Sequence, residues 1–137
     1  MDNQSISHTK WNCTYHIVII PKYRRKIMYG QLKHDVGDVL KKIFEMSEAE
    51  LIEGRVCKDH VHMYAAIPPK LSVSKFMSYL KGKSALMLFD RHPEFKKTFG
   101  GRRNFWARGY YVVTVGNVNE STIINYIREQ EESDKLE

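Results

Sequence analysis

The segment 60–67 alternates between polar or aromatic and apolar side chains and ends at Pro68-Pro69. Such alternation is typical of a β-strand, in which successive side chains point to opposite faces of a sheet. One face would carry His60, His62 and Tyr64. The other face would carry Val61, Met63 and Ala65. The sequence therefore predicts a sheet that packs its apolar face under helices and carries both histidines on the other face.

The rest of the chain supplies partners for this strand. Apolar periodicity and turn residues predict strands over 11–20, 49–57 and 105–115 and helices over 32–47 and 72–89. A last helix begins near Asn119 and carries Ile123, Ile124, Tyr126 and Ile127. The order β-α-β-β-α-β-α favours a ferredoxin-like (RRM-like) α+β fold, with an antiparallel sheet, helices on one face and an added C-terminal helix.

The charge balance limits the classes of partner. The chain has 137 residues, with 22 Lys and Arg against 16 Asp and Glu. A basic surface favours polyanions, above all nucleic acid, although ordinary solubility charge also fits. Cys13 and Cys57 are too few for a disulfide scaffold, and the sequence shows neither a signal peptide nor an apolar run of membrane-spanning length. We expect one domain over residues 1–137, in the cytoplasm near the nucleoid, with no membrane partner.

The histidine pair offers metal ligands. His60 and His62 stand at i and i+2, so two neutral imidazoles can converge on one divalent ion. Two surface histidines fit the same pattern. Cys57 adds a third alternative, a zinc site with both histidines, but no second Cys or His pair at structural-zinc spacing supports it. Asp59 is interpreted as a residue that shapes the turn.

Tyr126 and Gln130 lie one helical turn apart beside apolar positions. A boundary tyrosine with a solvated glutamine is one interpretation of this pair. The other is chemical, because a phenol with a reference pKa of about 10 becomes a useful nucleophile when a cation polarises the phosphate it attacks. Gln130 can then add a neutral oxygen ligand beside the imidazoles.

Segments 22–26 and 102–108 mix cations with aromatic residues, a combination that suits unpaired bases and phosphates. Together with two lysines of the segment 80–84, they supply the candidate nucleic-acid contacts, which are Lys22, Arg24, Arg25, Lys81, Lys83, Arg102, Arg103 and Trp106. Trp106 is equally compatible with a place in the hydrophobic core.

In this order the motifs resemble the single-tyrosine HUH transposases of the smallest bacterial insertion sequences, which move as single-stranded DNA. The resemblance covers nearly the whole chain. It rests on Tyr15-His16-Ile17-Val18, Pro21-Lys22-Tyr23-Arg24, Asp59-His60-Val61-His62, Leu80-Lys81-Gly82-Lys83-Ser84, Trp106 and Asn125-Tyr126-Ile127-Arg128-Glu129-Gln130.

The resemblance implies roles for particular residues. His60, His62 and Gln130 would bind Mg2+ or Mn2+, and Tyr126 would attack the scissile phosphate to give a 5′-phosphotyrosine and a free 3′-OH. It also implies a homodimer, in which the tyrosine helix of one subunit can complete the site of the other. The DNA ligands would be hairpins near the ends of the element.

Three other functions remain open. A domesticated relative associated with repeated palindromes would share the catalytic residues. A non-catalytic single-stranded nucleic-acid-binding module would share the basic segments, but it gives no reason for His60, His62, Tyr126 and Gln130 to occur together. A zinc phosphodiesterase that uses Cys57 would hydrolyse DNA without a covalent protein–DNA product.

Overall fold

The structure, a computed structural model, describes residues 4–6, 9–11, 13–98 and 104–115, together with residues 122, 124, 125, 128 and 129. In chain order the elements are β1 (Gln4–Ile6), β2 (Thr9–Trp11), β3 (Thr14–Ile19), a 3-10 turn (Lys22–Arg24), α1 (Gly30–Glu45), β4 (Glu50–Val56), β5 (Val61–Ala66), α2 (Val73–Arg91), α3 (Phe95–Thr98) and β6 (Tyr111–Val115).

The main sheet has four antiparallel strands in the order β4-β5-β3-β6, while β1 and β2 pair separately. The central elements follow one another as β3-α1-β4-β5-α2-β6. This connectivity and strand order are those of a ferredoxin-like fold. The predicted α+β class is confirmed.

One face of the sheet packs against both long helices. Ile17 and Ile19 of β3, Met63 of β5, Val39 of α1 and Leu80 of α2 belong to a single core cluster, and each is at most 1% exposed. Because side chains alternate along a strand, this burial turns the intervening residues of β3 and β5 to the other face. The predicted division of β5 into a core face and a histidine face is therefore confirmed.

The histidine face is itself covered where β5 runs through the centre of the sheet. Tyr64 is 1% exposed and His62 is 6% exposed. Tyr64 clusters with Val115 of β6, and the partly buried Ile52 and Ile124 pack against that pair. The C-terminal segment thus contributes to covering this face.

Both predicted helices form, with ends shifted by about two residues from the predicted ones. Ser72 caps α2, since its hydroxyl oxygen accepts a hydrogen bond from the Lys75 backbone N–H at 3.1 Å. Across the described ranges, no helix is long and apolar enough to cross a membrane.

The strand predicted over 105–115 is continuous only over Tyr111–Val115, and its first half is reduced to a single antiparallel bridge between Trp106 and Pro21. Trp106 is buried, and its indole N–H donates to the Ser84 hydroxyl at 2.8 Å. The Lys81 ammonium donates to the carbonyl oxygens of Ala107 and Gly109 at 2.8 and 2.7 Å. These bonds hold the segment against α2, while the backbone of residues 105–107 stays bonded to residues 20–22, just beyond β3.

A buried carboxylate joins α1 to the end of α2. Asp35 accepts hydrogen bonds from Gln31 at 3.2 Å, Arg91 at 3.0 Å and His92 at 2.6 Å. Arg91 also pairs with the more exposed Asp38 at 2.9 Å. The network connects residues 56 and 57 positions apart in the chain, so it holds the two long helices to each other.

Replacing Asp35 with Ala is expected to lower the free energy of unfolding by about 2 kcal/mol, because Arg91 and His92 lose a buried acceptor. Urea unfolding at pH 7 measures the change. Asp38→Ala is the matched control, since it removes the exposed partner of the same arginine and should have a much smaller effect. Equal effects would contradict the central place given to Asp35.

The effect of Asp35 should also depend on pH. Burial alone would raise the pKa of Asp35, but hydrogen bonds from His92, Gln31 and Arg91 outweigh it and hold the pKa below its usual range. A carboxyl with a depressed folded-state pKa stabilises the fold above its unfolded pKa of about 3.9, and this is lost as the pH falls through the folded-state pKa. The Asp35→Ala difference should therefore shrink on acidification below about pH 4.

Candidate metal centre

Three histidines meet on the face of the sheet opposite the helices. His62 lies in β5, His60 directly precedes that strand, and His16 lies in the neighbouring β3. The ring centroids of His60 and His62 are 4.5 Å apart and their planes are nearly perpendicular. His16 Nε2 lies 3.0 Å from His62 Nδ1. The two predicted metal ligands are therefore adjacent, and a third imidazole touches one of them.

Asp59 fixes the orientation of His60. Its Oδ1 lies 2.7 Å from His60 Nδ1, and its Oδ2 accepts a hydrogen bond from Arg24 Nε at 3.2 Å. Burial would raise the pKa of Asp59, but the hydrogen bond with His60 and the charge of Arg24 lower it below its usual range. The ionised carboxylate favours a proton on Nδ1 of His60, which leaves the lone pair on Nε2. The interpretation of Asp59 as only a turn residue is therefore corrected.

The other nitrogen of His60 is suited to a ligand. His60 Nε2 is buried and has no hydrogen-bond partner within the described part of the chain. Buried polar atoms are nearly always satisfied, so an orphaned nitrogen beside a second imidazole fits a group that binds there. Neutral imidazole nitrogen is a good ligand for divalent metals. His60 and His62 thus pass the chemical test for a metal site.

The zinc hypothesis with Cys57 finds no support in the geometry. Cys57 is 1% exposed. Among the residues that the structure describes, no group of three or more His, Cys, Asp or Glu side chains could hold a metal ion. A third ligand must therefore come from another residue type or from outside these ranges. Gln130, the predicted third ligand, lies outside the described residues.

The predicted nucleophile, Tyr126, also lies outside the described residues, but its neighbours in the sequence do not. Ile124 packs against Tyr64 and Val115 on the histidine face. Arg128 Nε donates to Glu53 Oε2 of β4 at 2.6 Å. Residues on both sides of Tyr126 in the chain therefore contact the sheet that carries the histidines.

A basic turn borders the histidines. Lys22 Nζ and Arg25 Cζ each lie 5.3 Å from the ring centroid of Tyr23, which is 66% exposed. Tyr23 and Arg24 have positive φ angles of 66° and 48°, a conformation that costs L-residues roughly 1–2 kcal/mol each. The strained turn presents Arg24 to Asp59, so cationic charge lies next to the candidate metal ligands.

The other predicted nucleic-acid contacts have different outcomes. The stacking role for Trp106 is wrong, because its ring is 5% exposed and its N–H is bonded to Ser84. The two hydrogen bonds of Lys81 to backbone carbonyls leave at most one ammonium N–H for a phosphate. Lys83 is exposed on α2. Arg102 and Arg103 lie outside the described residues.

Sequence reasoning missed His16 as a site residue. It lies in an apolar segment that was interpreted only as a buried strand. The available signal was the same alternation used for β5, because Thr14, His16 and Val18 alternate with Tyr15, Ile17 and Ile19. Burial lowers the pKa of His16 and so favours its neutral form.

The sequence is similar to those of known transposases. The family model described as IS200-like transposases matches residues 9–130. The chain is 50% identical over 135 residues to the transposase of insertion sequence IS200 from Salmonella typhimurium, covering 98% of this chain and 88% of that protein. It is 31% identical over 121 residues to the ISDra2 transposase TnpA of Deinococcus radiodurans, covering 88% and 85%.

Solved structures share the fold. A crystal structure of a proposed transposase from Deinococcus radiodurans R1 gives a TM-score of 0.72 at 27% identity and covers 93% of this chain and 97% of that one. A REP-associated tyrosine transposase bound to a REP hairpin gives a TM-score of 0.61 at 16% identity and covers 93% and 70%. The resemblance drawn from the sequence motifs is confirmed, and the chain belongs to the IS200-like transposase family.

Proposed function

We propose that this transposase cleaves and rejoins single-stranded DNA at insertion-sequence ends, through a covalent link between Tyr126 and a 5′-phosphate. The buried, unpartnered Nε2 of His60 beside His62 carries the proposal. A non-catalytic binding module would need no such nitrogen, nor a carboxylate to orient it.

The metal would be Mg2+ or Mn2+, held by His60, His62 and Gln130. When bound, the ion would polarise the scissile phosphate and neutralise the negative charge that develops on it. The protein would orient the ligands through Asp59 and keep water from the buried side of the imidazoles. The turn that contains Lys22, Arg24 and Arg25 would hold the flanking phosphates.

Tyr126 would supply the attacking oxygen. Its hydroxyl oxygen forms a bond to phosphorus while the bond between phosphorus and the 3′ oxygen breaks. The leaving oxygen takes up a proton as a 3′-OH, and the phosphate remains on Tyr126 as a 5′-phosphotyrosine. A 3′-OH then attacks this phosphotyrosine, the bond to the phenolic oxygen breaks, and a phosphodiester is restored. One ester replaces another, so no external energy source is required.

Contacts of the C-terminal segment support the proposal that Tyr126 acts beside the histidines of its own chain. Ile124 and Arg128 contact the histidine-bearing sheet of the same chain, which supports action of the tyrosine within its own subunit in this state. We further propose a homodimer, in which the same segment can instead complete the site of the partner. The two placements would correspond to different stages of strand transfer.

Hairpins near the element ends are the proposed DNA ligands. The REP-associated relative was solved with a REP hairpin, which is in line with this class of ligand. Lys22, Arg24, Arg25 and Lys83 are the proposed phosphate contacts among the described residues. Arg102 and Arg103 would add to them, while Lys81 would contribute mainly through its backbone contacts with the segment before β6.

Differently labelled strands test the proposal. A single-stranded oligonucleotide with an end hairpin and flank is labelled at its 3′ or 5′ end, incubated with Mn2+ and run on a denaturing protein gel. A 5′-phosphotyrosine predicts that only the 3′ label migrates with the protein, while the 5′ label marks a shorter fragment that a polymerase can extend. Fragments without a protein-linked label would indicate hydrolysis, and intact DNA would indicate a binding module.

Asp59 should tune metal affinity in this account. Asp59→Ala is expected to weaken Mn2+ binding by about 10–100-fold, the usual cost of losing the partner that orients a metal-bound histidine. Titration of Mn2+ followed by electron paramagnetic resonance measures the free ion. Glu48→Ala, which removes an exposed partner of Lys70, is the matched control and should leave the affinity unchanged. Equal Mn2+ affinities for Asp59→Ala and the parent protein would exclude this role.

A further inference from the structure

The contact between His16 and His62 has the geometry of a directed hydrogen bond. The His16 Nε2 to His62 Nδ1 distance is 3.0 Å, the ring centroids are 5.2 Å apart and the planes differ by 9°. The distance between the ring centroids exceeds the distance between the two nitrogens by about twice the distance from a ring centroid to its own nitrogen. The ring planes are also nearly parallel. Two imidazoles joined edge to edge satisfy both relations, so the N–H of one points along the lone pair of the other.

Only one direction of this bond leaves His62 able to bind a metal through Nε2. If His16 Nε2 donates, His62 Nδ1 is the acceptor, and neutral His62 must carry its proton on Nε2. If His62 Nδ1 donates, the lone pair of His62 lies on Nε2. The second arrangement places His62 in the same tautomer as His60, whose Nδ1 is bonded to Asp59 at 2.7 Å.

We propose that His16 is a positioning residue for the metal centre, which accepts the Nδ1–H of His62 and so fixes both the tautomer and the ring orientation of that ligand. The inference rests on the proposed function, because it concerns the same metal site. His16 would orient His62 through its Nδ1, as Asp59 orients His60 through its Nδ1. Each ligand then has its δ nitrogen bonded to a protein side chain and carries its lone pair on the ε nitrogen, which is the tautomer that can coordinate an ion through that atom.

The environment of His16 fits this role. It is 9% exposed and lies in the centre of the sheet, opposite Tyr64 of β5 and Val113 of β6 in the strand register. Its backbone is fixed by pairing on both sides, and burial leaves its side chain little freedom to rotate. His16 can therefore transmit the rigidity of the sheet to His62, while the ligand set itself remains His60, His62 and Gln130.

Variants of His16 test the role through metal affinity. His16→Phe keeps the ring volume but removes the acceptor, and it is expected to weaken Mn2+ binding by about 10–100-fold. His16→Gln places an amide near the position of Nε2 and should restore most of that loss, whereas a purely space-filling role would favour Phe over Gln. His34→Phe, on the exposed surface of α1, is the matched control and should bind Mn2+ as the parent protein does.

Nitrogen NMR of the metal-free parent protein tests the same inference without a variant. The 15N shifts of His62 distinguish a proton on Nδ1 from one on Nε2, and we expect the proton on Nδ1. A proton on Nε2, or unchanged Mn2+ affinity in His16→Phe, would overturn the role of His16 even if DNA cleavage is normal. A parent protein that binds no Mn2+ would instead refute the proposed metal site, and the NMR result would still decide the contact between the histidines.

Discussion

Replacing Tyr126 with Phe is expected to abolish the covalent protein–DNA product while changing hairpin affinity by less than about threefold. The substitution removes only the phenolic oxygen, which is the attacking atom, and keeps the aromatic ring. The covalent product is measured on a denaturing gel with Mn2+ present, and hairpin affinity is measured separately by fluorescence anisotropy. A loss of both would indicate damage to the fold or to the DNA surface rather than loss of a nucleophile.

Tyr79→Phe is the matched control for Tyr126. Tyr79 lies on α2 and is 41% exposed, so removal of its hydroxyl tests the general effect of losing one phenol. We expect this variant to form the covalent product at the parent rate. A covalent product in Tyr126→Phe would assign the attack to another residue.

The second large effect is expected at the histidines. His60→Ala and His62→Ala should each reduce metal-dependent cleavage by more than the roughly 10–100-fold expected for loss of an outer partner, because each removes a ligand. Hairpin affinity should remain close to that of the parent protein, because the proposed phosphate contacts lie on other residues. Cleavage rates are measured across a Mn2+ titration, so that weaker binding of the ion can be separated from slower chemistry.

His34→Ala provides the control for these variants, since it removes an exposed histidine of α1. Urea unfolding separates loss of metal from loss of fold, which matters because His62 is 6% exposed. Parent-level cleavage by His62→Ala at every Mn2+ concentration would remove that residue from the ligand set.

Local pattern was sufficient for the framework of the fold. The alternation over 60–67 predicted which side chains of β5 reach the core, because side chains along a strand alternate between its two faces with a period of two residues. Apolar spacing predicted both long helices to within about two residues at each end. The antiparallel order of the sheet also followed, since few topologies connect these elements without crossing.

Contacts distant in the sequence were beyond local pattern. Trp106 and Ser84 are 22 residues apart, and Lys81 reaches Ala107 and Gly109 across 26 and 28 residues. An alternating segment with aromatic residues predicts a continuous strand, but these contacts with α2 leave only a single bridge, between Trp106 and Pro21, before Tyr111. The burial of Trp106, and with it the error over DNA stacking, depends on such a pairing.

For the candidate metal centre, the sequence indicated the proposed ligands better than the residues that orient them. Spacing and side-chain chemistry made His60 and His62 candidate ligands, and the family resemblance then implied that role. Asp59 contacts its sequence neighbour His60 at 2.7 Å, and His16 contacts His62 of the neighbouring strand at 3.0 Å. A histidine within an apolar strand gives no sign of which side chain the next strand will place opposite it.

The most direct test of covalent strand transfer is mass spectrometry of Tyr126 after reaction with an end-hairpin oligonucleotide. Trypsin releases the peptide 109–128, which contains Tyr110, Tyr111 and Tyr126, and fragment ions then locate any attached nucleotide. We predict a 5′-linked nucleotide on Tyr126 that forms only with Mg2+ or Mn2+. Cleaved DNA with an unmodified Tyr126, or an adduct confined to Tyr110 or Tyr111, would contradict the account.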